Sequence, residues 1–200
     1  AVIIVSCAKK DEESTTAATT SKTTTTPSGS ITMGSYTASG VYLSSCFYGS
    51  TVSNLISAGL FPSDAQSFGF AFVVTGDDSF TQETHVFTDT GCATSSYISK
   101  LVRDNVTVGT ASGANYPVTY NDQGVKLTVN TTTAKTWLET LYANIGVTID
   151  MTVGTEKAIA PASTTLTYGL WTPGATTIYL AAESTDSTPS TAGAIVYTKE

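Results

Sequence analysis

From Gly34 onward the sequence is a succession of short alternating or β-branched runs separated by Gly, Asn and Asp. Side chains alternate between the two faces of a strand, so Phe68, Phe70 and Phe72 in SFGFAFVV share one face. Runs of this kind, roughly ten in number, predict an antiparallel sandwich or barrel. They occupy residues 34–47, 67–75, 79–88, 96–110, 114–121, 124–129, 146–158, 164–171, 175–182 and 192–198.

Two tight turns and one helix are also predicted. TGDDS at 75–79 and YNDQG at 120–124 contain the Gly, Asn and Asp that tight connections favour. TTTAKTWLETLYANIG, residues 131–146, has apolar residues at helical spacing, threonines that can cap its start and Gly146 at its end. VSNLISAGLF at 52–61 predicts a second, short helical turn.

The amino-terminal residues predict a secreted lipoprotein. VIIV is followed by Ser6 and Cys7, and Val-Ser-Cys resembles the bacterial lipobox, in which the cysteine receives a lipid. Because the chain lacks an initiator Met, we expect that the upstream part of a signal peptide has been removed. The alternative is a first β-strand with an ordinary buried cysteine.

This interpretation divides the chain into three parts. Residues 1–7 are a signal-peptide remnant with the lipobox, residues 8–30 a Thr-rich flexible tether, and residues 31–200 the β-barrel domain. The tether is predicted because its residues bury too little apolar surface to offset the entropy of ordering them. The domain would then be a membrane-anchored module of the bacterial cell envelope, at the outer membrane or the cell surface.

The two remaining cysteines, Cys46 and Cys92, are predicted to form a disulfide in an oxidising compartment. A zinc site is disfavoured because the single histidine, His85, leaves too few ligands. A cysteine nucleophile is disfavoured because it would need His85 close to one thiol while the other thiol stayed unpaired.

Composition and hydropathy disfavour nucleic-acid binding and a membrane-spanning helix. The formal net charge of −7 would repel a nucleic-acid backbone, so we expect no nucleic-acid binding. No apolar run reaches the roughly 18 residues of a membrane-spanning helix, so membrane association would come through the lipid anchor or a partner.

No catalytic motif stands out, and we expect no enzyme activity, no cofactor and no metal. His85 is the only histidine and there is no G-x-S-x-G motif, which disfavours a serine hydrolase. Asp77 and Asp78 are interpreted as a solvated hairpin turn. Glu83 and Glu156 are the candidates for a glycosidase carboxylate pair, which sequence alone leaves open.

Two segments carry a family resemblance. GSYTASGVYLSSCF and HVFTDTGCATSSY resemble a pattern in small extracytoplasmic lipocalin-like proteins, including the APCDD1-like bacterial group. The resemblance implies a mainly β, antiparallel up-and-down (lipocalin-like) barrel of about 8–10 strands with one amphipathic helix. It also implies binding of a small hydrophobic ligand.

Aromatic side chains are the candidates for such a ligand site. The alternative is that they simply form the core. A second hypothesis for function is a structural protein that self-assembles into a fibre or surface layer by strand addition. Sequons at Asn105 and Asn130 also leave a eukaryotic secreted protein open. The candidate ligand-binding residues are Phe68, Phe70, Phe72, Trp137 and Trp171.

Overall fold

The structure, a computed structural model, describes residues 23–200 and contains twelve β-strands and two α-helices in that range. The first part contains β1 (Ile31–Met33), β2 (Tyr36–Ala38), β3 (Val41–Leu43), β4 (Phe47–Tyr48), α1 (Ser50–Ser57), β5 (Ser67–Val74) and β6 (Phe80–Phe87). The second part contains β7 (Ser95–Val108), β8 (Tyr116–Val129), α2 (Thr132–Ala143), β9 (Glu156–Ala160), β10 (Leu166–Pro173), β11 (Thr177–Leu180) and β12 (Val196–Lys199).

Eight of these strands close into a barrel. Around the wall the order is β3, β5, β6, β7, β8, β10, β11 and β12, and every neighbouring pair is antiparallel. Thr198 of β12 lies opposite Leu43 of β3, which closes the ring. Because neighbours in the wall follow one another along the chain, the predicted up-and-down barrel is confirmed.

One end of the barrel, here called the plug end, is filled by side chains. The β1–β2 hairpin places the buried residues Ile31 and Met33 against this interior. The rings of Phe72, Phe80 and Trp171 pack with centroids 5.1 to 5.3 Å apart. Edge-to-face aromatic pairs add about 0.5–1.5 kcal/mol each beyond the area they bury, so this end is tightly packed.

The two helices cover the opposite end, here called the helix end. Val52 and Leu55 of α1 and Ala134 and Leu138 of α2 are buried in a second core. As predicted, a threonine caps α2: the Thr131 hydroxyl accepts a hydrogen bond from the Ala134 backbone N–H at 3.0 Å. The short helical turn predicted at 52–61 is α1.

The barrel wall is taller on one side than on the other. Strands β7 and β8 have 14 residues each, whereas β11 and β12 have four each. Inward residues of the short strands, such as Ile178 and Tyr197, belong to the core of the plug end. The helix end therefore has a lower wall on the side of β11 and β12.

Two local predictions were wrong. YNDQG at 120–124 is not a turn but lies inside β8, at the point where its neighbour changes from β10 to β9. Residues 146–155 form loops rather than a strand, because Met151 is buried and its N–H donates to Glu139 of α2 at 2.9 Å. The predicted hairpin turn at 75–79 is confirmed by the Thr75 N–H donating to the Ser79 carbonyl at 3.0 Å.

Candidate ligand cavity

Inward-facing side chains at mid-height of the tall wall are less buried than their outward neighbours. Gln82 and Thr84 of β6 point into the barrel and are only half-buried, although Glu83 and His85 on the outer face are 1% and 2% exposed. Phe70 of β5 is half-buried as well. The interior is therefore open at this height.

This opening is a cavity of about 550 Å³. Its volume is within the range of about 300–1,000 Å³ that small-molecule sites occupy. Its walls are largely apolar and include Ile145, which follows α2 and is 60% exposed, and residues of the segments 180–183 and 191–195. The apolar lining of the inner part includes Leu55, Phe61, Phe68, Phe70, Leu101, Val125, Leu127, Trp137 and Leu138.

A few polar groups interrupt the apolar lining. The hydroxyls of Thr84 and Ser99 lie on neighbouring strands, at directly opposed positions. The Gln82 Oε1 atom is buried and has no hydrogen-bond partner in the part of the chain that the structure describes. A buried acceptor of this kind is costly unless something donates to it.

Glu183 is the charged side chain at the inner edge of the cavity. Backbone hydrogen bonds hold its segment against β10: Ala181 donates to Leu170 at 2.9 Å, and Ser184 donates to Tyr168 at 3.0 Å. These bonds continue the pairing with β10 beyond the last residue of β11. The backbone that carries Glu183 is therefore fixed to β10.

The carboxylate of Glu183 is part of a polar network at the boundary with the plug end. Arg103 Nη2 donates to Glu183 Oε2 at 2.9 Å, and the Tyr120 hydroxyl donates to Oε1 at 2.9 Å. Arg103 Nη1 lies 2.8 Å from Asp122 Oδ1, as an ion pair without hydrogen-bond alignment. The guanidinium also lies over the Tyr120 ring, 5.8 Å from its centroid.

The negative charge of Glu183 affects two buried tyrosines. Burial raises the pKa of Tyr120 well above its ordinary value, and the neighbouring carboxylate of Glu183 raises it further. Burial and then Glu183 raise the pKa of Tyr197 in the same way. Both phenols therefore stay neutral and serve as hydrogen-bonding or packing groups rather than as bases.

The structure divides the five predicted ligand-binding residues between the two ends. Phe68, Phe70 and Trp137 line the cavity. Phe72 and Trp171 instead pack against each other in the plug end, with ring centroids 5.3 Å apart, and do not reach the cavity. Among the other predicted residues, Cys46 and Cys92 form the expected disulfide, and Cys7 lies outside the described residues.

Three polar residues at the cavity were not among those predicted from the sequence: Gln82, Arg103 and Glu183. Alternation could have placed Arg103 on the inner face, because it follows the inward residues Ser99 and Leu101 at a spacing of two. Glu183 lies in a loop without periodicity, and no local signal marks it.

Glu83 and Glu156, the candidates for a glycosidase carboxylate pair, do not lie on adjacent strands. Strands β7 and β8 separate β6, which carries Glu83, from β9, which carries Glu156. Each carboxylate also has its own partner: Glu83 contacts His85 at 2.6 Å, and Glu156 contacts Lys100 at 2.6 Å. Over residues 23–200, no group of three or more His, Cys, Asp or Glu side chains could hold a metal.

No known protein family matches the chain, and no curated protein is similar to it. Neither helix within residues 23–200 combines the length and apolarity needed to span a membrane.

Proposed function

We propose that the barrel binds a small, largely apolar ligand in the cavity at its helix end. The observation that carries this proposal is the half-burial of inward-facing Phe70, Gln82 and Thr84 around an opening of about 550 Å³. A barrel of about eight strands either fills its interior with side chains or holds one small ligand. Here side chains fill the interior at the plug end, whereas the interior at the helix end contains the cavity.

The test of this proposal is a substitution that fills the cavity. Thr84→Phe places a ring where the ligand would lie, whereas Thr107→Phe makes the same change at an exposed position of β7. The probe is the uncharged fluorophore N-phenyl-1-naphthylamine. We expect saturable binding by the wild type, at least about tenfold weaker binding by Thr84→Phe, and wild-type binding by Thr107→Phe.

Two outcomes would contradict the proposal. One is the absence of saturable binding by the wild type, and the other is equal affinity of the wild type and a folded Thr84→Phe variant. Circular dichroism of each variant establishes that it is folded.

We also propose that the protein is a lipoprotein of the bacterial cell envelope, anchored through Cys7 and of the lipocalin-like kind. The support for this is the VIIVSC sequence together with the Cys46–Cys92 disulfide, since disulfides persist in oxidising compartments. In a bacterium expressing the chain behind a complete signal peptide, Cys7→Ala should move the protein from the membrane fraction to the soluble fraction. Ser6→Ala keeps a small residue before the cysteine and should stay membrane-bound. Membrane retention of Cys7→Ala would exclude the anchor.

Self-assembly by strand addition remains the alternative prediction. Among the described strands, β9 pairs only with β8 and so has a free edge. Its Glu156 and Lys157 are exposed charged residues, which disfavour edge-to-edge pairing at this strand.

A further inference from the structure

We infer that the ligand is a hydrophobic amine, an apolar body carrying one positive charge that lies beside Glu183. This inference rests on the proposed function, because it specifies the ligand class for the same cavity.

The charges that face the cavity are acidic. Among the described side chains that line it there is no Lys, Arg or His, and the carboxylate of Glu183 is at its inner edge. Glu83 also contributes to the wall, but by strand alternation its side chain belongs to the outer face, where it contacts His85. Glu183 is therefore the charge that a ligand in the cavity meets.

Arg103 compensates this charge only in part, because it is shared between two carboxylates. Its side chain is 4% exposed and lies 2.9 Å from Glu183 and 2.8 Å from Asp122. The three groups together carry one excess negative charge. Because charges interact strongly where water is largely excluded, an anionic head group is disfavoured here and a cationic one is favoured.

The uncharged groups of the cavity also suit an ammonium group. It has hydrogen-bond donors and no acceptor, so it could donate to the carboxylate of Glu183. Aromatic faces in the lining, among them Phe70 and Tyr197, favour a cation further.

The test compares probes that share one hydrocarbon chain and differ in charge. The probes are dodecylammonium, dodecanol, N-dodecylacetamide and dodecanoate. They are titrated at pH 7, the two ions below their micelle concentrations and the two uncharged probes below their solubility limits, with displacement of N-phenyl-1-naphthylamine as the readout. We expect dodecylammonium to bind at least about tenfold more tightly than the two uncharged probes, and dodecanoate to bind most weakly. Dodecanoate binding as tightly as dodecylammonium would overturn the inference.

Two matched variants test the role of Glu183. Glu183→Gln removes the charge at the cavity, and Asp186→Asn removes an exposed charge from the same loop. Glu183→Gln should bring the affinity ratio of dodecylammonium to dodecanol close to one, and Asp186→Asn should leave that ratio unchanged. A ratio that survives Glu183→Gln would overturn the inference.

The two proposals fail in distinguishable ways. If no probe binds to the wild type, the proposed function itself is wrong. If the probes bind without a preference for the cation, only the ligand class is wrong. The comparison of dodecylammonium with N-dodecylacetamide needs no variant, so it decides the question even if Glu183→Gln does not fold.

Discussion

Glu83 and His85 show how this barrel buries polar side chains on its outer face. They occupy successive outward positions of β6, are 1% and 2% exposed, and contact each other at 2.6 Å. The Thr25 hydroxyl donates to the other oxygen of Glu83. Burial raises the pKa of Glu83, but the hydrogen bonds from His85 and Thr25 and the charge of His85 lower it, and the net pKa is below 4.5. The ionised form is therefore the one that the fold stabilises.

This shift predicts a dependence of stability on pH. When the pKa of a carboxyl group is lower in the folded state than in the unfolded state, its ionisation stabilises the fold at pH values above the unfolded-state pKa. That contribution is lost as the pH falls through the folded-state pKa. The free energy of unfolding of the wild type should thus exceed that of Glu83→Gln most clearly above pH 4.5, and the gap should narrow below it. Urea denaturation of both proteins over a pH series measures the gap.

Glu156→Gln is the matched control for this experiment. Its side chain is 37% exposed, so its ion pair with Lys100 is expected to contribute at most about 1 kcal/mol. A gap between the wild type and Glu83→Gln that stays constant from neutral to acidic pH would show that the ionisation of Glu83 is not linked to folding.

At the scale of elements, α2 could be predicted from the sequence and the course of β8 could not. The signals for α2 are local: apolar spacing, Thr131 as the cap, and Gly146 at a φ of +77° just after the helix. The glycine in YNDQG has a different role. Gly124 has a φ of +107°, and a Cβ there would come within 2.5 Å of the Ala160 carbonyl oxygen. Residues of these types form a turn at 75–79. Within β8 they instead allow the strand to change its neighbour from β10 to β9.

The position of the cavity could not be predicted from the sequence either. Alternation predicts that Phe68, Phe70 and Phe72 share one face, and their positions along β5 then decide their surroundings. Phe72 meets the packed plug end, whereas Phe68 and Phe70 reach the opening. That outcome depends on the short strands β11 and β12, which are distant in sequence. The sequence therefore predicts the inner face of the barrel but not the height at which its core ends.

For the whole molecule, the disulfide reinforces the end that contains the cavity. Cys46 lies just before β4, and Cys92 lies between β6 and β7, so the bond crosses β5 at the helix end. Nearby, Phe47 and Phe68 stack with centroids 5.0 Å apart. Because the interior of the helix end is open, the core there has fewer packing contacts to resist local opening than the plug end has.

Removing the disulfide should therefore destabilise the two ends unequally. The bond joins residues 46 positions apart, which corresponds to about 4 kcal/mol in the chain-entropy model. The Cys46→Ala, Cys92→Ala double variant should lose up to about that much free energy of unfolding, measured by urea denaturation, and a reductant should have no further effect on it. Amide hydrogen exchange should accelerate more in β4 and α1 than in β1 and β2, because only the helix end loses its cross-link. Equal acceleration at both ends would mean that the barrel opens as one cooperative unit, and that the cavity end has no separate flexibility through which a ligand could enter.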